Sequence, residues 1–504
     1  MRVMKEVIWS HITQATPAEM KQLNGLLTEF NTDDEDETIL EPLLVVEPHN
    51  TKVYTGLLPF LEECGMKIEI ASGDIEKKER SIEINPRILD RIELRDYQVM
   101  ASRKTLLLPR GTIQAPTGSG KTEMMGSTIA HYRQHRLAET ALVLVPSGFI
   151  MEQTANRFER YGLGDVGRIG YGHKFKPGRA INVCIVDSAY RLVMSEPPEF
   201  IYRPDMLFLD EAHHAKAKMW STVCRECLAK NRWAFTATVH DDPQQFSRSD
   251  LLLFGLVGPM IFEIRSKELR SRGFLANPFV TMIKPDSGQI PIWSWLGVYK
   301  AGIVGNKIRN SLICTIADSC YKGNYKSLIF VGRKEHGHRL CQMLAHLGNE
   351  SIFVHGGATV WVYKPSGSVR PERWTIDEVA AYVNERERAI IVSTQVLDEG
   401  VDIPIINVLI MGTGMKKYRR TVQRAGRGMR PKGGDNRVFI FDFWDENHLF
   451  LQRQSEYRMW TYQEEEYEVS GSLEETERLM GIKLSLDTKL FYKVKLKKQK
   501  ETAE

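Results

Sequence analysis

Three short strings of residues in this chain could do chemistry together. Ala115-Pro116-Thr117-Gly118-Ser119-Gly120-Lys121-Thr122 follows the apolar run Ile113–Ala115 and precedes a helical pattern from Lys121. Gly118 and Gly120 let the backbone turn its N–H groups toward phosphate oxygens, with Pro116, Thr117 and Ser119 completing the loop. Lys121 can reach the β- and γ-phosphates of a nucleotide, and Thr122 can ligate Mg2+. The helix adds the positive end of its dipole. The strict form of such a loop begins with Gly; Ala115 stands there instead, which removes no phosphate ligand.

The second string, Asp210-Glu211-Ala212-His213, lies 89 residues past Lys121, directly after the apolar run Met206–Leu209. A carboxylate there sits at the carboxyl end of a buried strand, the edge where open α/β sheets bind ligands. Asp210 would hold Mg2+; Glu211 would orient and deprotonate an attacking water. The third string, Gln423-Arg424-Ala425-Gly426-Arg427-Gly428-Met429-Arg430, follows about three hundred residues after the loop. Arg427 and Arg430 offer positive charge to a γ-phosphate, a contribution of roughly 10³–10⁵ in rate for such arginines. A basic surface helix, with Lys416, Lys417, Arg419 and Arg420 just upstream, would explain the charge but not Gly426, Gly428 or the leading Gln423. The spacing suggests two similar domains closing on one nucleotide.

These strings need a frame. Short apolar runs at Ala141–Val145, Ile181–Val186, Met206–Leu209 and Ala234–Phe235 suit buried parallel strands with helices on both faces. A second alternating set starts near Lys307, with Ser327–Val331, Ile352–His355, Ala389–Val392, Val408–Met411 and Val438–Phe441. The division expected is an N-terminal α/β module over 1–90, a nucleotide-binding lobe over 91–277 and a connection over 278–305. A second lobe spans 306–445, and a helical extension with a basic tail spans 446–504. The acidic run at 33–37 reads as a solvated loop.

The chain has 504 residues, 26% charged and 42% hydrophobic, with a formal net charge of only +4. Any nucleic-acid surface is therefore a local groove and not a globally basic body. No apolar run approaches the ~20 residues that span a bilayer, and no signal-peptide layout opens the chain, so a cytoplasmic protein is expected. Seven cysteines lack framework spacing. Cys224-Arg225-Glu226-Cys227, with no second pair at zinc-ribbon distance, reads as two half-buried thiols on a helix over 220–230.

Taken together the strings resemble the motifs of superfamily 2 helicases of the DEAH form, over roughly 92–445. Arg95-Asp96-Tyr97-Gln98 resembles the adenine-reading motif, with Arg95 and Gln98 toward the base. Val145-Pro146-Ser147 resembles a motif contacting the nucleic-acid backbone. Thr236-Ala237-Thr238 resembles the motif linking hydrolysis to strand movement, with His213 beside it in that coupling role. Ser393-Thr394-Gln395 through Leu397-Asp398-Glu399-Gly400-Val401-Asp402-Ile403-Pro404 is similar to the fifth motif, with Thr394 toward the strand and Gly400 and Asp402 toward the nucleotide. The implied fold is α/β, two tandem RecA-like parallel-sheet lobes preceded by a small N-terminal module. ATP and Mg2+ are the implied cofactors.

The text of the fifth motif, and of Gln423–Arg430, which is similar to the sixth, resembles the branch containing XPB, the phage helicase UvsW and restriction-enzyme motor subunits. It implies an ATP-dependent DNA helicase that remodels branched DNA, through fork regression or Holliday-junction branch migration, in recombination, repair or replication. Its DNA would be single-stranded, forked or a four-way junction, and its place the host cytoplasm if the phage resemblance holds. An RNA helicase or restriction-complex translocase is the alternative among enzymes; a nucleotide-switched clamp or annealing protein is the alternative of another class. Trp361, Tyr363, Trp374, Arg370 and Arg373 surround Pro365-Ser366-Gly367-Ser368. That segment reads either as a projecting hairpin whose aromatics stack on bases or as a partly buried connection. The lysines over 493–500 read as an edge strand or a phosphate-contacting tail.

Overall fold

The computed structural model describes residues 1–28, 43–46, 51–70, 83–176, 178–195, 198–213, 217–240, 247–292, 294–355, 359–374, 376–394, 406–414, 421–422, 424–426 and 436–486. The acidic run at 33–37 and the lysine-rich end lie outside them. The chain divides into two compact units, Met1–Arg265 and Ser266–Glu504.

The first unit holds two sheets. Its seven-stranded sheet runs in the order Met260–Glu263, Arg110–Gln114, Asn231–Thr236, Met206–Asp210, Ala141–Val145, Ile181–Ile185, Val166–Ile169, and every pairing is parallel. The strands Ala141–Val145, Ile181–Ile185 and Met206–Asp210 are buried at every position. That is what helices on both faces of a parallel sheet require of a sequence.

The N-terminal residues form a separate five-stranded sheet, mostly antiparallel. Within it a helix at Leu58–Glu63 precedes a short strand at Glu69–Ile70. Its apolar face is continuous with the core of the large sheet's helices. Leu23, Val53, Leu57 and Leu61 share one buried cluster with Leu251, Leu253, Phe254 and Leu256 of the helix Arg248–Val257. Arg110, at the start of the phosphate-loop strand, donates from its guanidinium to the Val7 carbonyl. The module is thus welded to the first unit, not tethered to it.

In the second unit nine strands run in the order Val369–Arg373, Thr359–Tyr363, Ser351–Val354, Ala389–Ser393, Lys326–Phe330, Val408–Met411, Arg437–Phe443, Asn277–Ile283, Glu468–Val469. All are parallel except the hairpin at the first edge. Two expected boundaries change here. Asn277–Ile283, read as the start of a connection, is a buried strand beside Arg437–Phe443. Its prolines disguised it. Pro278 falls where Glu468–Val469 has not yet begun to pair, so its missing N–H leaves no gap in the ladder. Residues 446–484, read as an extension, are integral to the unit. Leu473, Met480 and Leu484 lie in its core, and Glu468–Val469 closes the sheet. The Cys224 and Cys227 thiols, expected to be half-buried, are buried; Cys224 lies on the helix Lys218–Glu226 and Cys227 caps its end.

The weld between module and first unit is tested at Gly56, where a Cβ would lie 2.1 Å from the Phe254 carbonyl oxygen and 2.6 Å from that of Gly255. Backbone cannot yield cheaply there. Gly56→Ala is expected to cost about 1–3 kcal/mol in denaturant unfolding. Gly25→Ala, in open space on the helix Pro17–Thr28, is expected to be neutral or to stabilise by up to about 1 kcal/mol.

Candidate functional site

Gln114 ends its strand, and the chain turns through Pro116–Gly120 into the helix Lys121–Gln134. Gly118 and Gly120 have φ of 83° and 85°, the left-handed region open to glycine. At Gly120 a Cβ would stand 2.2 Å from the Gln98 amide nitrogen, so a side chain there would displace the Gln98 amide. The loop is anchored at its base by the Ala115 N–H donating to the Thr236 carbonyl at 2.9 Å, and braced internally by the Ser119 N–H on Pro116 at 3.1 Å.

The strand Asn231–Thr236 lies between the loop's strand and the strand ending in Asp210, so all three carboxyl ends sit side by side. Glu211 has φ of 51°, which ends the strand's alternation immediately after Asp210. Its Oε1 is 3.5 Å from Lys121 Nζ and its Oε2 3.6 Å from His213 Nδ1. The His213 ring nitrogen is also 3.3 Å from Thr236 Oγ1, which donates to the Thr238 carbonyl at 2.9 Å. A chain of polar contacts thus runs from Lys121 through Glu211 and His213 to the Thr236–Thr238 segment. Burial, and then the neighbouring Glu211 carboxylate, push Asp210 up to about 7, with Lys121 opposing. Two buried carboxyl groups against one ammonium form a site short of positive charge. The Thr122 hydroxyl and Asp210 carboxylate therefore suit a divalent cation, a hard ion that takes oxygen ligands.

Arg95 and Gln98 cap their own helix, Asp96–Leu107: the Arg95 N–H donates to Gln98 Oε1 at 2.9 Å. The Gln98 amide N–H donates to the Ser119 carbonyl at 2.9 Å, so both ends of the side chain are engaged and its nearest target is the loop. Ser147 Oγ accepts the Ile150 N–H at 3.4 Å as a helix N-cap, which leaves its hydroxyl proton to donate elsewhere. Thr394 ends the Ala389–Ser393 strand, its N–H on the Val354 carbonyl. Gly400, Asp402, Gln423, Arg427 and Arg430 lie outside the described residues.

Trp361 and Tyr363 do not project. The expected hairpin forms, Thr359–Tyr363 with Val369–Arg373. Tyr363 is buried with its hydroxyl on His338 Nδ1, and the Trp361 ring packs edge-on against His338 at 5.2 Å. Removing two large aromatic surfaces from water outweighs exposing them, so their base-stacking reading is withdrawn.

Sequence reasoning passed over three side chains. The Tyr97 hydroxyl donates to the Ser119 carbonyl at 2.8 Å and receives the Arg95 guanidinium at 2.9 Å; its place beside Gln98 was the available signal. In the second unit the Arg424 guanidinium donates to Thr413 Oγ1 at 2.8 Å, clamping its helix to the end of the Val408–Met411 strand. Arg309 holds the same turn through the Gly412 and Met411 carbonyls and pairs with Asp445 at 2.9 Å, fully buried. No local pattern marks Arg309, whose partners lie more than a hundred residues away.

A family profile described as "Type III restriction enzyme, res subunit" matches residues 91–241, and one described as "Helicase conserved C-terminal domain" matches 309–432. The chain is 26% identical over 370 residues to "DNA 3'-5' translocase XPB2" of Sulfurisphaera tokodaii, covering 69% of this chain and 81% of that protein. It is 24% identical over 389 residues to "Putative helicase 22" of a Sulfolobus islandicus filamentous virus, covering 72% of this chain and 66% of the viral one. Its fold is similar to that of S. cerevisiae Dbp5 bound to RNA and ADP BeF3, with a TM-score of 0.55 at 16% identity, over 79% of this chain and 97% of that one.

The charge shortage has a measurable sign. With Asp210 raised from 3.8 to about 7, the folded protein holds a proton that the unfolded chain has released between those values. Stability is therefore lost as pH rises through that window. Asp210→Asn is expected to raise the thermal midpoint of the nucleotide-free protein at pH 8, with the gain vanishing below pH ~4. An equal gain at both pH values would contradict the assignment.

Proposed function

The chain belongs to the superfamily 2 helicases, and on that premise we propose that it is an ATP-driven DNA translocase that remodels branched DNA. The observation that carries the ATPase part is the approach of Lys121 to Glu211 beside Asp210, at the carboxyl ends of adjacent parallel strands. The restriction-subunit profile and the archaeal relative named as a DNA translocase support DNA over RNA. Fork regression or junction branch migration is supported by the wording of Leu397–Pro404 and Gln423–Arg430.

In this reading the loop N–H groups, Lys121 and the helix N-terminus bind the triphosphate, and Gln98 exchanges the Ser119 carbonyl for the adenine edge. Thr122 and Asp210 would hold Mg2+, which would supply charge neutralisation for the phosphates. Glu211 is freed from Lys121 once the lysine turns to phosphate. It then accepts the proton of the attacking water, while His213 keeps its carboxylate oriented. Arg427 and Arg430 supply the positive charge that the departing phosphoryl group requires. Changes at Glu211 reach Thr236 and Thr238 through His213, which makes that segment the outlet from hydrolysis to strand movement. Ser147 and Thr394 donate to backbone phosphates, contacts that carry no sequence preference.

Glu211→Gln should bind ATP with little change yet lose about 10²–10⁴ in single-turnover hydrolysis, the usual worth of a general base; undiminished turnover would refute the assignment. The substrate is decided by ATPase and unwinding measured across single strands, forks, four-way junctions and RNA duplexes. Stimulation and strand exchange greatest on the junction are expected. Stimulation by RNA alone would overturn the DNA reading.

A further inference from the structure

The edge hairpin of the second unit has a property that its inward aromatics leave unexplained. Val369–Arg373 is exposed at all five positions, although it belongs to a nine-stranded sheet whose inner strands are buried. An edge strand that packs nothing on either face adds little to the core, so its side chains are free to serve another purpose. Pro371, in the middle of the strand, cannot donate to a further strand. Edge pairing with another chain is thereby discouraged.

The charge on this ribbon is one-sided in sign and two-sided in space. Residues 364–373 carry Lys364, Arg370 and Arg373 against Glu372 alone, a net +2 in ten residues of a chain whose total is +4. Glu372 accepts the Trp374 indole N–H at 2.8 Å, whereas the three cations make no ion pair among the described residues. Register sets their directions. Arg370 stands opposite Val362, and Arg373 opposite Thr359. Directly opposed residues share a face and neighbours along a strand alternate. Arg370 therefore lies on the Val362 face and Arg373 on the face of Trp361 and Tyr363. Lys364 sits at the turn, where Gly367 with φ of 80° lets the chain reverse.

An exposed edge strand with cations on both of its faces and a further one at the adjoining turn can meet two rows of negative charge. The two phosphate backbones that wall the major groove of a DNA duplex are such rows. We infer that the edge strand 369–373, with the turn at Lys364, binds duplex DNA, its arginines reaching phosphates on both sides of a groove. The inference deepens the proposed function, on which it rests: it gives the second unit a grip on the paired part of a branched substrate, distinct from the strand-tracking groups.

The test uses the full chain, with affinity for a short blunt DNA duplex and for a single strand of equal length measured over a range of KCl. Arg370→Gln combined with Arg373→Gln should weaken duplex binding at moderate salt. The slope of log affinity against log salt should become shallower by about 0.9 for each phosphate the protein no longer neutralises. Single-strand affinity should stay within about twofold, less than the effect of giving up one neutralised phosphate. Lys364→Gln, at a turn whose pairing uses only backbone groups, is the second variant and should act in the same direction. Unchanged duplex affinity and slope would overturn the inference. So would an equal weakening on both substrates, which points to a general change in charge. A wild-type chain that binds neither DNA would overturn the proposed function itself.

Discussion

The structure depends on one constraint: charged groups have been taken out of water and must satisfy each other. Removing an ion from water costs several kcal/mol even after relaxation, and the chain does so repeatedly. In the first unit Asp210, Glu211 and Lys121 meet at the carboxyl ends of three adjacent strands. The parallel sheet makes this possible, because it stops all three strands at one edge while its buried flanks keep them from shifting. The remaining shortage of positive charge, visible in the raised Asp210, suits the site to a divalent cation.

The second unit meets the same constraint with a different purpose. Arg309 with Asp445, and Arg458 with Asp442 at 2.8 Å, are buried pairs around the end of the Arg437–Phe443 strand. Both arginines also donate to backbone carbonyls, and Tyr462 adds its hydroxyl to Asp442. These bonds use donors that a single carboxylate would leave unmet, save Arg458 Nη1, which has no partner among the described residues. Arg309, on the helix Lys307–Lys322, joins Asp445 to the turn at Met411–Gly412, and the adjoining Thr413 holds Arg424. Arg424 is thus braced from elements far away in the chain.

How much of this was legible depends on how local each feature is. The phosphate loop and the Asp210-Glu211 pair could be read because strand, turn and helix follow one another within a few residues. Thr236 could be read as a motif, yet its contact with His213 and with the base of the loop could not, since it arises from strand order. The Asn277–Ile283 strand was hidden by proline, and the tail-like segment after 446 by its charge. Both enter the second sheet because apolar side chains there find a face to bury. The hairpin was located from its turn residues, but its aromatics and cations exchanged roles: Tyr363 is buried and Trp361 partly buried, and solvent kept Arg370 and Arg373.

The sequence by itself determined the two alternating sets of strands, the resemblance to superfamily 2 helicases, and the residues proposed to grip phosphate and metal. Those features follow from side-chain type and short-range spacing, which every chain carries openly. Only the tertiary structure decided that the N-terminal module shares a core with the first unit, that Tyr97 and Gln98 brace the loop through Ser119, and that Arg309 anchors the turn leading to Arg424. Each of these joins groups distant in sequence. Which distant groups meet is set by the order in which strands pair and by the requirement that buried polar atoms find partners, and neither can be read from one stretch of chain.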